Sequence, residues 1–137
     1  MATSPTFSSG VAPIRAKITA DLTNTAVDLY DNTLGTKAVR VEGLGLASDD
    51  SAAANIKFSM WTTGPVTYPI STVNVPANSG TNGTAARVNA LPSIGVLAPD
   101  GIYDVWIGAG EKLQANALVT LTADKTVTIT GRVRLYV

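Results

Sequence analysis

Cysteine and histidine are both absent from this chain of 137 residues. Without cysteine there is no disulfide framework, no thiolate zinc or iron–sulfur centre and no cysteine nucleophile. Without histidine there is no Ser-His-Asp triad, no imidazole metal ligand and no side chain that titrates near neutrality by default. Charge is scarce as well. Charged residues make up 15% of the chain, against roughly 25% in a typical soluble protein. Ten Lys and Arg balance ten Asp and Glu, which argues against bulk attraction to nucleic acid or to an acidic membrane surface. No apolar run approaches the roughly 18 residues of a membrane-spanning helix. Few charges combined with 45% hydrophobic residues is the reverse of a disordered composition. The start, Met1-Ala2-Thr3-Ser4-Pro5, lacks the basic and apolar regions of a secretory signal, so synthesis and use without export are expected.

What is present is a two-residue period. The length suits one domain able to bury a core unaided. Residues 1–13, with Ser4, Pro5, Thr6, Ser8, Ser9, Gly10 and Pro13, have no period and read either as a frayed terminus or as an extended N-terminal arm that orders only against a neighbouring subunit. Residues 14–137 read as the folded domain. Ile14, Ala16, Ile18 and Ala20 alternate with Arg15, Lys17, Thr19 and Asp21, the pattern of a half-buried strand. Val39 and Val41 alternate with Arg40 and Glu42, after which Gly43-Leu44-Gly45-Leu46 shifts the apolar parity by one residue. A glycine at such a shift predicts a β-bulge. Ile56, Phe58 and Met60 form another alternation, followed by Val66, Tyr68 and Ile70 and then Val73 and Val75. Pro69 within that run predicts an edge strand or a kink.

The last third repeats the pattern. Ile102-Tyr103-Asp104-Val105-Trp106-Ile107 is apolar on both faces apart from Asp104, which predicts a covered strand with Trp106 in the core. The runs from Leu113 to Leu121 and from Val127 to Val137 alternate cleanly, and Ala123-Asp124-Lys125 between them reads as a hairpin turn. No convincing helix is present; Ser51 to Asn55 is the best candidate and is too short to stand alone. Seven to nine short strands punctuated by turns indicate an all-β sandwich or barrel.

Chemistry-bearing residues are few. Asp28 and Asp31 lie near Tyr30 and Asn32, and Asp49-Asp50 is an acidic pair. Two carboxylates can share acid and base work, but these occupy turn-like sequence, where Asp binds its own backbone. Neither cluster has calcium-loop spacing. The glycine-rich pieces lack dinucleotide or P-loop spacing. No catalytic, cofactor-binding or metal-ligating residue is therefore assigned. Trp61, Tyr68, Tyr103 and Trp106 are weighed as a flat platform for a sugar ring or a partner. Trp61 is opposite in parity to Phe58 and Met60, so it faces outward if they face the core and is then a candidate interface anchor, with a core position as the alternative. Arg132 and Arg134 share one face of the last strand, as solvent-facing residues or as contacts to acidic groups of a neighbouring subunit. Outward positions carry Thr, Ser, Asn and Gln where many soluble β proteins carry Lys and Glu, and low-charge edges favour association with other chains.

The layout as a whole resembles a known group. A Ser/Thr/Pro arm precedes Ala12-Pro13-Ile14-Arg15-Ala16-Lys17-Ile18-Thr19-Ala20, followed by Leu29-Tyr30-Asp31-Asn32 and Lys37-Ala38-Val39-Arg40-Val41-Glu42-Gly43-Leu44-Gly45-Leu46. Gly110-Glu111-Lys112-Leu113-Gln114-Ala115 opens a late strand, and Thr126 to Tyr136 closes the chain. Over residues 12–137 this resembles the small all-β virion proteins of tailed bacteriophages, especially jelly-roll capsid decoration (cement) proteins. The resemblance implies an antiparallel sandwich of jelly-roll type with about eight strands. It also implies a homotrimer on the outer capsid surface, made in the host cytoplasm, that clamps adjacent major capsid protein subunits. No enzymatic activity, nucleic-acid partner or membrane partner is implied. By the same resemblance the arm, with Thr3, Pro5, Phe7 and Val11, is the segment that reaches across the capsid surface; Trp61, Arg132 and Arg134 stand beside it as interface candidates from the residue pattern. The alternative expectation is a tail, fibre or baseplate module that binds a host glycan or another tail protein.

Overall fold

In the computed structural model, which describes residues 8–81 and 85–136, the period-two segments form strands that stack as two antiparallel sheets. In chain order they are β1 (Ser8–Thr19), β2 (Val27–Asp31), β3 (Val39–Ser48), β4 (Ala54–Thr62) and β5 (Val66–Val75). There follow β6 (Val88–Asn89), β7 (Val96–Leu97), β8 (Tyr103–Ile107), β9 (Glu111–Ala117) and β10 (Thr126–Tyr136). The larger sheet has the order β1-β10-β3-β8-β7, with β6 beside β3, and the smaller has the order β2-β9-β4-β5. The fold is thus an all-β sandwich. Among the described residues, no helix is long and apolar enough to cross a membrane.

The core is the inward half of each alternation. Ile14, Ile18, Val41, Leu46, Val127, Ile129 and Val133 from the larger sheet face Ile56, Phe58, Leu113 and Val75 from the smaller, all essentially inaccessible to water. Burying each such side chain contributes about 1.5–3 kcal/mol. Two irregularities read from the sequence appear where glycine and proline mark them. Along β10, Arg132 pairs with Gly43 and Val133 with Val41, so Glu42 is the extra residue of a bulge. The bulge lets Val39 and Val41 before it, and Leu44 and Leu46 after it, all point inward. Along β4, Phe58 pairs with Ser71 and Ser59 with Pro69, leaving Ile70 unpaired on β5, the edge strand that admits the proline. Gly131 lies so close to the bulge that a Cβ there would collide with the Gly43 carbonyl oxygen.

Several expectations are corrected. Residues 8–13, expected in the arm, are the first part of β1, where Val11 pairs with Arg134 and Pro13 with Arg132. Proline is admitted because β1 is an edge strand. Ala123-Asp124-Lys125 is not a hairpin turn. β9 and β10 belong to different sheets, and residues 118–125 cross between them with Leu121 buried. Periodicity reports that two strands exist and not which sheet each joins. A short helix, α1 (Leu91–Ile94), is present; at four residues it is below any detectable helical period. Ser51 to Asn55 instead leads into β4, which begins at Ala54. Val66 and Tyr68, expected to alternate toward the core, are exposed at the far end of β5.

Candidate functional site

The acidic pairs come first, because they are the best candidates for chemistry and do something else. Asp50 is buried, and its carboxylate accepts hydrogen bonds from the Thr122 N–H (2.7 Å), the Thr122 hydroxyl (2.8 Å) and the Ala52 N–H (3.0 Å). Asp49 accepts the Thr126 N–H at 2.8 Å. Together they brace the crossover from β9 to β10. The Thr122 N–H, followed by the Ala52 N–H and the Thr122 hydroxyl, holds the Asp50 carboxyl below the usual carboxylate range against the opposing effect of burial. Asp31 accepts both the N–H and the hydroxyl of Thr33, a local Asx turn. The buried Asn32 amide donates to the carbonyls of Lys37, Ile107 and Gly108, tying the chain before β3 to the end of β8. Asp28 accepts hydrogen bonds from Lys112 and Gln114 on the outer face of the smaller sheet. Among the described residues, no three acidic side chains come together in a group able to hold a metal.

The chemically richer surface is the outer face of the larger sheet. Antiparallel pairing sets Arg40, Glu42, Arg132 and Arg134 side by side across β3 and β10, because every second residue points outward. Arg134 donates through Nε and Nη2 to the two oxygens of Glu42, at 2.6 and 3.0 Å, a two-pronged geometry that matches guanidinium to carboxylate. Arg132 approaches the same carboxylate at only 3.9 Å and keeps its side chain 65% exposed. Arg40 donates to Asp104 at 2.7 Å and to Asp100 at 3.3 Å. Hydrogen bonding from Arg134 holds the Glu42 carboxyl below the usual range, although burial opposes it. Arg132 and Arg134 thus find a carboxylate within their own chain.

Beside this network lie two aromatics, Trp106 exposed and Tyr136 half-buried. Trp106 is 50% exposed and stacks on Tyr136, with ring centroids 5.6 Å apart and planes inclined by 24°. Trp106 is therefore not the core residue its strand suggested. Val105 and Ile107 take the inward positions, and Trp106 occupies the outward one, where the larger sheet has no covering layer. Lys37 and Ala38 complete a cleft of about 320 Å³ around the pair.

The residues singled out from sequence separate into three groups. Val11, 50% exposed, lies opposite Arg134, and Pro13 lies opposite Arg132, so Val11, Arg132 and Arg134 are brought together. Trp61 is on the other sheet, opposite Lys112 and Thr67. It faces outward half-buried, with the Lys112 ammonium 4.5 Å from its ring centroid, a cation–π contact. Thr3, Pro5 and Phe7 lie outside the described residues. The four aromatics do not form a platform. Tyr68 is opposite Met60 and Trp61 opposite Thr67, on successive and hence opposed faces, while Tyr103 and Trp106 are on the other sheet. Sequence reasoning missed Glu42 as the carboxylate between the arginines, and Tyr136 and Arg87 altogether. The Arg40-Val41-Glu42 alternation carried a signal for Glu42; Arg87 lies in a stretch without period.

Compared with known proteins, the chain matches no family model and no curated protein.

Proposed function

We propose that this chain is a non-enzymatic virion protein of a tailed bacteriophage, a capsid decoration (cement) protein. In this reading it binds the outer surface of the head and stabilises it by clamping adjacent major capsid subunits. The observation that carries the reading is the nested strand order. β1 pairs with β10, β2 with β9, β3 with β8 and β4 with β5, each pair nested in the chain within the one before it, as though one long hairpin had been rolled into two sheets. We read this order as a jelly roll, an architecture used by viral capsid and lectin domains. The outer face of the larger sheet supports an interaction role, because exposed Trp106 and Val11 beside ordered arginines have the composition of an interface. Clamping would be multivalent. Modest contacts per chain, repeated over a homotrimer and several capsid subunits, add to an avidity no single contact supplies.

The test is co-sedimentation of the purified protein with heads of the phage that encodes it. Saturable binding that raises the temperature at which heads release DNA is expected, with Val11→Asp and Trp106→Ala weakening it. Absence of binding to intact heads overturns the reading. A second reading, a tail, fibre or baseplate module that binds a host glycan or another tail protein, is favoured by one observation, the exposed Trp106 ring stacked on Tyr136 beside Lys37. Glycan binding that disappears in Trp106→Ala, without head binding, would select it.

A further inference from the structure

A cleft of about 620 Å³ opens on the outer face of the larger sheet, next to the arginine network. Its floor is nearly bare backbone. Gly43 and Gly45 are on β3, and two arginines lie over them. A Cβ on Gly43 would meet the Arg132 stem at 3.7 Å, and a Cβ on Gly45 would meet the Arg87 guanidinium at 2.7 Å. One wall is Leu91 and Pro92 of α1 and the other is Ile102 and Tyr103 at the start of β8. Ile102 is 54% exposed.

Charge on this face is unbalanced. Arg40 takes two carboxylates, Asp104 and Asp100, while Glu42 is shared among Arg134, Arg132 and Arg40. Among the described residues, Arg87 has no ion pair. Two forked cations thus flank a floor of glycine backbone, with the Glu42 carboxylate at its edge already held by Arg134, between walls that present Pro92 and Ile102. Arginine forks match carboxylates in plane and spacing, and aliphatic walls suit an aliphatic side chain.

We infer that this cleft is a binding site for an extended acidic peptide segment, with carboxylates on Arg87 and Arg132 and a flanking aliphatic residue against Pro92 and Ile102. The site does not depend on the capsid assignment: any partner presenting such a segment would fit. Charge complementarity selects the occupant, and the walls distinguish an acidic peptide from a free anion.

The probe is a capped hexapeptide with two adjacent aspartates between leucines, titrated into the full-length protein while backbone amide resonances are followed by NMR at low salt. The same peptide with asparagines, and inorganic phosphate, are run in parallel. The aspartate peptide is expected to move the Gly43 and Gly45 resonances saturably. Arg87→Ala and Arg132→Ala should each weaken it about tenfold, whereas Arg15→Ala, on exposed β1, should leave it unchanged. Gly45→Ala keeps every charge but displaces Arg87, and should weaken binding in a protein that still melts cooperatively. No saturable shift with the aspartate peptide overturns the assignment. So does equal weakening by Arg15→Ala, an equal response to the asparagine peptide, or phosphate moving the same resonances as strongly.

Discussion

The two sheets contribute comparably to the core and differ on their outer faces. The smaller sheet turns out Asn55, Lys57, Thr72, Asn74, Gln114 and Asn116, with Asn74 donating to Asn55 and Lys112 above Trp61. The larger turns out a connected ionic network, an aromatic stack and a cleft floored by glycine. One alternating pattern therefore produces two faces of different character. The difference comes from which residues occupy the outward half: mostly amides and hydroxyls around one lysine-covered tryptophan on the smaller sheet, paired arginines and a stack of two rings on the larger. Amide and hydroxyl groups satisfy one another locally, whereas arginine and tryptophan are enriched where chains meet.

The comparison can be broken or sharpened by substitution, and the largest effect should come from the shared core. Phe58→Ala, at a fully buried position of the smaller sheet, should lower stability by about 3–5 kcal/mol. Both sheets should still unfold in a single transition, followed by near- and far-ultraviolet circular dichroism in urea. Two separate transitions would mean that the sheets are independent units. Next is the crossover. Asp50→Ala removes a buried carboxylate that accepts part-buried hydrogen bonds from Thr122 and Ala52 and should lower stability by about 1–3 kcal/mol.

The outer faces themselves provide a matched pair. Glu42→Ala leaves Arg134 without its two-pronged partner and should lower stability by about 1–2 kcal/mol. Asp28→Ala, which loses an exposed pair on the smaller sheet, should change it by less than about 0.5 kcal/mol. Equal losses in urea unfolding would erase the distinction between the faces.

Acid should report the same network. The Glu42 carboxyl is depressed first by hydrogen bonding from Arg134, and the Asp50 carboxyl first by the Thr122 N–H. A depressed folded-state value means that the stabilisation is complete above the unfolded carboxylate range, near about pH 4. It is lost as pH falls through the lower folded values. Stability should thus be flat from neutral pH to about pH 5 and fall below about pH 4. The fall should be shallower in Glu42→Gln and Asp50→Asn, as thermal melts across pH would record. Trp106→Ala should lower stability by less than about 1 kcal/mol, because the ring is only half covered.

Much of the fold was legible because β structure writes itself as parity. The shift at Gly43 could be read as a bulge and Pro69 as an edge, since each breaks an alternation that is otherwise kept. Parity fails where two structures share it. An outward tryptophan on an uncovered sheet and a buried one on a covered strand present the same run of letters, hence the misplacement of Trp106. Two alternating runs joined by Ala123-Asp124-Lys125 look alike whether they pair or cross to opposite sheets. The site was less legible than the fold. Arg132 and Arg134 were visible as an outward pair, but their partner Glu42 is 90 and 92 residues away from them in the chain and meets them only through the register of β3 with β10. Arg87 carries no local signal, since its position over Gly45 depends on the pairing of β6 with β3.

The measurement that bears most directly on the central claim is a cryo-electron microscopy reconstruction of the phage particles proposed to carry this protein. The account predicts copies of the sandwich on the outer surface of the head, grouped in threes and bridging adjacent major capsid subunits, with the face of Trp106, Val11 and Arg132 turned toward a neighbouring chain. Density for the sandwich confined to the tail, or a head surface without it, would contradict the account.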